Sequence, residues 1–352
     1  MDEKLLSIAK LFALNGNILS IEPYGEGHIN VTYLIVTDKE RYIFQKMNTR
    51  VFPDAKGLMA NVCAVTEYLQ KLGVETLEVV PLISGEKFLF GEECYRVYKF
   101  IENTVSYQTV ENDEVFKNSG RAFGEFQNKL AGFDASVLCE VIPNFHNTPK
   151  RAEKFLEVLG ADKLDRAKNC RPEIDYVLSE IGNLSLIADG LKDGSIPTRV
   201  THNDTKLNNI LMDRESDKAR AIIDLDTIMP GSMLYDFGDS IRFGATTAAE
   251  DEADLDKVHF VIDKFRAYAE GFCTAVKDSV TKREAELFPY GAYLMTIECG
   301  IRFLTDYLEG NVYFATKYET HNLVRCRTQF RLAKEIKENF AACQKIVDGI
   351  LG

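Results

Sequence analysis

The feature that most constrains this chain is a two-strand island set inside a helical half. Residues 199–213 (RVTHNDTKLNNILMD) and 219–231 (ARAIIDLDTIMPG) each carry a short aliphatic run that ends in polar residues, with a polar turn between them. This pattern predicts a β-hairpin embedded among helices. From about residue 104 onward, helical spacing dominates on both sides of it. Val258, Val261, Ile262, Phe265, Tyr268 and Phe272 repeat at steps of three and four, and the stretches 294–308 and 323–350 are similarly periodic. The first hundred residues read differently. Leu5, Ile8, Leu11 and Phe12 suggest a helix, followed by NILSIEPYG, HINVTYLIVT and RYIFQKMN, all rich in β-branched and aromatic residues. Asp38-Lys39-Glu40 suits a hairpin turn, 55–72 a helix, and EVVPLIS and ECYRVYKFIE two more strands. The expectation is an α+β, two-lobed chain. Residues 1–103 would form an antiparallel sheet with a helix, and residues 104–352 a mainly helical lobe holding the hairpin.

The hairpin carries the chemistry. His202-Asn203-Asp204-Thr205-Lys206-Leu207-Asn208-Asn209 places an aspartate, a lysine two residues on and an asparagine five residues on, just before a strand. Phosphoryl transfer needs a carboxylate to accept the proton of the attacking hydroxyl, a cation near the transferred phosphate, and ligands for magnesium. Asp204, Lys206 and Asn209 supply these in order, and a neutral His202 could hold the loop through backbone hydrogen bonds. Twenty residues after Asp204, Asp224 and Asp226 end the run Ala221-Ile222-Ile223. Magnesium prefers hard oxygen ligands, so Asp224 and Asn209 are the expected pair. Asp236-Phe237-Gly238 spells a magnesium motif, but it lies 27 residues past Asn209 and opens an apparent helix. Asp236 reads instead as a helix-start residue that braces the loop.

In the first lobe, Tyr24-Gly25-Glu26-Gly27-His28-Ile29-Asn30 lies between two strands, where glycines let backbone amides approach a phosphate. Lys99-Phe100-Ile101 is the natural adenine hinge. Arg41, Gln45 and Lys46 share a strand, and alternation alone does not say which faces inward to clamp phosphates. Farther on, Glu298, Arg302 and Asp306 are spaced four apart and share a helix face. They read either as an exposed ladder or as a semi-buried network from which Arg302 could bond a polyol.

HNDTKLNN together with IIDLDTIMPG resembles the aminoglycoside phosphotransferase/choline kinase superfamily, which has the two-lobed protein-kinase-like fold. More closely, IEPYGEGHIN, YRVYKFIENTVSY and ECGIRFLTDYLEGNVYFATKY look like the bacterial N-acetylhexosamine 1-kinases. The resemblance implies transfer of the γ-phosphate of ATP, with Mg2+, to the anomeric hydroxyl of an N-acetylhexosamine. It implies Asp204 as base, Lys206 beside the phosphates, and Asn209 and Asp224 as metal ligands. Arg302, Tyr313, Phe243 and His28 would surround the sugar, and the family's strand-lysine slot would be filled by Gln45.

Composition narrows the alternatives. A net charge of −12 argues against nucleic acid as partner. No run approaches the length that spans a bilayer, and the amphipathic N-terminus lacks a signal-peptide core. Eight singly scattered cysteines suit a reduced, cytoplasmic protein, and the chain is expected to be a monomer. The nearest rival is a kinase of another small alcohol, such as an aminoglycoside, choline or homoserine; the absence of tryptophan removes the best cage residue for choline. A pseudokinase would typically have lost Asp204, Asn209 or Asp224, and all three are present.

Overall fold

The computed structural model describes residues 2–25, 29–110 and 112–352. The chain gathers into two compact units: Met1–Ser106 with Phe133–Pro143 and Leu211–Pro230, and Tyr107–Gly132 with Asn144–Ile210 and Gly231–Gly352.

In the first unit, α1 (Glu3–Ala9) starts where the Asp2 side chain accepts the N–H groups of Lys4 and Leu5. Then follow β1 (Ile18–Pro23), β2 (Val31–Thr37), β3 (Arg41–Met47), α2 (Ala55–Lys71), β4 (Val79–Val80) and β5 (Cys94–Lys99). The strands form an antiparallel sheet in the order β1-β2-β3-β5-β4. Alternation splits its faces. Ile35, Tyr42, Phe44, Tyr95 and Val97 build one core with Ala9 and Phe12, whereas α2 buries its own stripe of Leu58, Met59, Val62, Val65 and Leu69. The β2–β3 turn is tied by the Thr37 hydroxyl, which takes the N–H groups of Lys39 and Glu40. The expected strand EVVPLIS shrinks to Val79–Val80 because Pro81 has no N–H to continue the ladder.

After β6 (Thr104–Val105) and β7 (Arg199–Thr201), the chain makes the expected hairpin, β8 (Ile210–Asp213) and β9 (Ala219–Ile222). Strand β6 joins it in the order β6-β8-β9. That third strand is invisible in the sequence, since two residues carry no periodicity.

The second unit is mainly helical: α3 (Asp113–Lys129), α4 (Thr148–Ala161), α5 (Arg171–Glu180), α6 (Leu186–Asp193), α7 (Met233–Gly244), α8 (Ile262–Val276), α9 (Lys282–Ala285), α10 (Phe288–Glu309), α11 (His321–Glu338) and α12 (Phe340–Leu351). The periodic stretch 323–350 is two helices divided at Asn339, whose amide bonds back to the Glu335 carbonyl. Helix α10 is buried nearly all round and packs against α4, α7 and α11. Among the described residues, no helix is long and apolar enough to cross a membrane.

Helices α3 and α8 approach closely through glycine. A Cβ at Gly271 would lie 2.0 Å from the Lys117 carbonyl oxygen, and one at Gly120 2.4 Å from the Tyr268 carbonyl oxygen. Both obstacles are backbone, so the helices themselves would have to separate. Gly271→Ala should therefore destabilise the protein by about 1–3 kcal/mol, read as a lower urea midpoint with an unchanged m-value.

Candidate active site

The loop between β7 and β8 is built from groups that hold one another. The Asp204 carboxylate is half-buried; Lys206 Nζ lies 2.7 Å from its Oδ1. Asn209 Nδ2 donates to Asp204 Oδ2 at 3.1 Å and to the Asp204 carbonyl at 2.8 Å. Burial would lower the Lys206 pKa, but the carboxylates of Asp204 and Asp239 more than offset it and raise it. The lysine is a fixed positive charge beside an aspartate that keeps access to solvent. Asn203, just before it, sits in the left-handed region with φ +66°, a conformation that asparagine tolerates better than most side chains.

That backbone is held from beneath by α7. Fully buried Asp236 accepts the His202 N–H at 2.9 Å, the Asn203 N–H at 2.8 Å and Gln127 Nε2 at 2.6 Å. Burial raises its pKa, and the same donors oppose the rise. Asp239, one turn on, accepts the Thr205 N–H at 3.1 Å and pairs with Arg242. The spacing argument against Asp236 as a metal ligand is thus matched by its use: its oxygens meet backbone and amide donors. His202 also behaves as expected, with Nδ1 taking the Asp204 N–H at 3.3 Å and its ring packed edge-on with Phe123 and Phe126.

Sequence reasoning missed a second brace. His146 Nδ1 lies 2.8 Å from Glu298 Oε1, and its Nε2 3.3 Å from the Asn203 carbonyl. Glu298 is fully buried and also accepts the Thr148 hydroxyl at 2.5 Å. Burial pushes the Glu298 pKa up, but His146, Thr148 and Arg302 outweigh it and hold it below the ordinary value. A lone histidine in NFHNTP carries no periodic signal, so nothing in the sequence marks it.

The Glu298–Arg302–Asp306 face is neither a ladder nor one network. Asp306 is buried and accepts four donors, the N–H groups of Val312, Tyr313 and Phe314 and Asn322 Nδ2. It therefore shapes the loop after α10. Arg302, half-buried between the two acids, lies 5.4–5.9 Å from the ring centres of Phe145, Tyr313 and Phe314. It lines a cleft of about 140 Å³ with Arg151, Lys154, Glu309 and Tyr313. Arg151 donates to the Phe145 carbonyl, and Lys154 pairs with Glu309 at 2.9 Å. Tyr313 stays 63% exposed, so its ring is open to a ligand. Phe243 is half-buried in the last turn of α7.

In the first unit, Asp224 is exposed, with φ +58°, at the head of a short turn, Leu225–Thr227. Gly25 has φ +75°; Gly27 and His28 lie outside the described residues. Around the expected hinge, Arg41 stacks 4.1 Å from the Phe100 ring centre and pairs with Glu102, Lys99 faces Glu40, and the Ile101 carbonyl accepts the Thr104 hydroxyl. On β3, Lys46 turns to Glu93, and Gln45 turns to Thr32 and Arg96. Arg96, on β5, is buried and pairs with Asp226. A charged residue amid the apolar run CYRVYK is the signal that could have found it. Asp224, an exposed residue, carries carboxylate oxygens. Asn209 commits its amide nitrogen to Asp204, which leaves its carbonyl oxygen as the donor atom. These are hard oxygens of the kind magnesium takes alongside water and phosphate.

An antiparallel sheet unit and a helical unit that carries this braced loop define a protein-kinase-like fold. Known proteins agree with it. A choline kinase from Cryptosporidium parvum Iowa II superposes with a TM-score of 0.61 at 14% identity, covering 99% of both chains. An amicoumacin kinase in complex with AMP-PNP and Ca2+ superposes with a TM-score of 0.60 at 13% identity, over 96% of this chain and 94% of that one. A homoserine kinase from Zymomonas mobilis subsp. mobilis is 22% identical over 274 residues, 77% of each protein. Residues 20–270 match the phosphotransferase enzyme family, and the chain belongs to it.

The two aspartates that both resembled metal ligands should separate experimentally. Asp236→Ala strands buried N–H groups and should lower unfolding stability by about 1–3 kcal/mol in urea titrations. Asp224→Asn keeps a residue that tolerates positive φ at an exposed position, and should leave the midpoint within about 0.5 kcal/mol of wild type.

Proposed function

We propose that this phosphotransferase uses MgATP to phosphorylate the anomeric hydroxyl of an N-acetylhexosamine, giving the sugar 1-phosphate and ADP. The observation that carries the acceptor class is the chemistry around Arg302. The carboxylates nearest its cleft are engaged: Asp306 by four N–H donors, Glu309 by Lys154, Glu298 by His146 and Thr148. The guanidinium, by contrast, rests against aromatic rings. Such a cleft supports a neutral acceptor rich in hydroxyl and carbonyl oxygens. It disfavours quaternary amines and polycations, which want acidic clusters or open aromatic cages. The acetamido group and the anomeric position rest on the sequence resemblance.

In this reading the acceptor O–H gives its proton to Asp204 as the oxygen attacks the γ-phosphorus and the bond to the ADP oxygen breaks. Asp204 is well prepared as the base, with one oxygen oriented by Lys206 and the other by Asn209. The loop is pinned by Asp236, so little rearrangement is needed. An anomeric hydroxyl is more acidic than an ordinary alcohol, and a carboxylate is base enough for it. Lys206 would balance charge on the phosphates. Magnesium, with Asp224 and Asn209 as proposed ligands, would neutralise phosphate charge when bound. Residues 1–103 would hold the nucleotide, through Gly25, Gly27 and His28 of the loop, Lys99, Phe100 and Ile101 of the hinge, and Arg41. Arg302, Tyr313, Phe243 and His28 would hold the sugar.

A second reading, phosphorylation of a small amino alcohol, has one specific support. The homoserine kinase relative is named for a substrate whose carboxylate Arg302 could pair with.

Asp204→Asn should retain nucleotide binding and lose turnover by roughly 10²–10⁴-fold, measured as ADP release; retention of a tenth of the wild-type rate would remove Asp204 as base. With N-acetylglucosamine as acceptor, each ADP released should remove one reducing end, because a sugar phosphorylated at the anomeric oxygen cannot open to its aldehyde. ADP release with reducing ends fully retained rules out the 1-phosphate. Release with homoserine but not with hexosamines selects the second reading.

A further inference from the structure

The proposed function leaves open what the cation on the nucleotide-side sheet does. In the register of the sheet, Thr32, Gln45 and Arg96 stand in one cross-strand row, since Thr32 pairs with Gln45 and Gln45 with Arg96. Gln45 Nε2 donates to Thr32 at 3.0 Å, and its carbonyl oxygen accepts Arg96 Nε at 2.9 Å. The guanidinium is buried, at 1% exposure, and pairs with Asp226: Nη2 donates to Oδ2 at 2.9 Å, and Nη1 lies 2.5 Å from Oδ1 as an ion-pair contact. All its nitrogens have partners in this arrangement, Nη1 also lying 3.9 Å from Met59 Sδ. It is therefore poorly placed to receive a phosphate.

Asp226 is a node of three elements. It lies in the turn headed by Asp224, two residues away, whose backbone is in the left-handed region. Its Oδ2 also accepts Asn30 Nδ2 at 2.7 Å. Asn30 closes the loop between β1 and β2, and its Oδ1 accepts the Asn48 N–H at 2.9 Å. The far side of the turn is held by α2, where Asn61 Nδ2 donates to the Ile228 carbonyl at 2.9 Å. A buried ion pair is a poor device for stability, because apolar residues of similar size often serve as well. It is a good device for fixing geometry, because the guanidinium donors are directional: Nη2 bonds Oδ2 while Nε is held by Gln45.

We propose that Arg96 is a positioning residue. Through Asp226 it sets both the turn that presents Asp224 and the end of the glycine-containing loop at Asn30, so that metal and nucleotide phosphates are bound together. The inference rests on the phosphotransferase reading of Asp224, and not on the identity of the acceptor.

The test is a binding measurement without acceptor. Mn2+ is titrated into the full chain with ADP, free Mn2+ is followed by electron paramagnetic resonance, and each protein's melting temperature is recorded. The proteins are wild type, Arg96→Met, Asp226→Leu and the double variant. The single variants leave one buried charge alone and should melt lower. The apolar double variant should regain most of that loss, yet still bind Mn·ADP about 10–100-fold more weakly than wild type. A double variant that melts and binds like wild type overturns the proposal and leaves the pair a packing element. If the charged-pair variants do not fold, Asn30→Ala decides. It keeps the ion pair, should melt only slightly lower than wild type and should weaken binding by about 2–10-fold; wild-type affinity in Asn30→Ala overturns the proposal. A wild-type chain that binds no Mn·ADP defeats the nucleotide reading itself, an outcome distinct from either.

Discussion

The carboxylate of Asp236 cannot leave water unless donors meet it, and the donors that do are the backbone N–H groups of His202 and Asn203. Much of the second unit follows from that requirement. Helix α7 must run beneath the β7–β8 loop, the loop must turn at Asn203 with positive φ, and Gln127 of α3 must reach in as a third donor. His146, held by Glu298 of α10, then takes the Asn203 carbonyl from another side. The residue that emerges from this clamp is Asp204. Its neighbours are fixed by buried groups, while it keeps substantial exposure along with Lys206. In the proposed role as base, a carboxylate on so rigid a seat would need little reorganisation when charge moves.

Buried carboxylates recur as organisers. Asp226 joins strand, turn and loop in the first unit, Asp306 gathers three successive backbone N–H groups and so folds the loop bearing Tyr313, and Asp239 ties Thr205 to Arg242. In each case the acid is neutralised locally by several donors. Arg302 meanwhile keeps to its ring of aromatics, and Asp224 stays exposed. A chain of net charge −12 can still present a cleft that is not acidic, because its acids nearest that cleft are already partnered.

Much of the architecture was legible in the sequence, for physical reasons that differ by element. The N-terminal strands announced themselves by runs of β-branched and aromatic residues, and the hairpin by two aliphatic runs ending in polar residues. Asp236, set apart by its spacing as a brace, meets backbone and amide donors in the structure. Other elements left no such trace. A two-residue strand such as β6 is shorter than any periodicity, and the break at Asn339 interrupts a pattern that reads as one helix. On β3, Arg41, Gln45 and Lys46 all looked eligible to face inward, because alternation fixes relative faces but not which face is which.

The sequence by itself determined the sheet-then-helix order with its embedded hairpin, the loop HNDTKLNN and the family to which the chain belongs, since these depend on local pattern and on residues close together in the chain. Only the tertiary structure decided the partnerships: Arg96 with Asp226, 130 residues apart, His146 with Glu298, 152 apart, and Gln127 with Asp236, 109 apart. A buried polar group must find a partner, but the requirement does not say where along the chain it lies. That choice is made when the apolar faces pack, for instance where glycines let α3 and α8 close to backbone contact. Packing brings distant polar side chains within reach, and satisfying them then fixes the geometry of the loops that carry the chemistry.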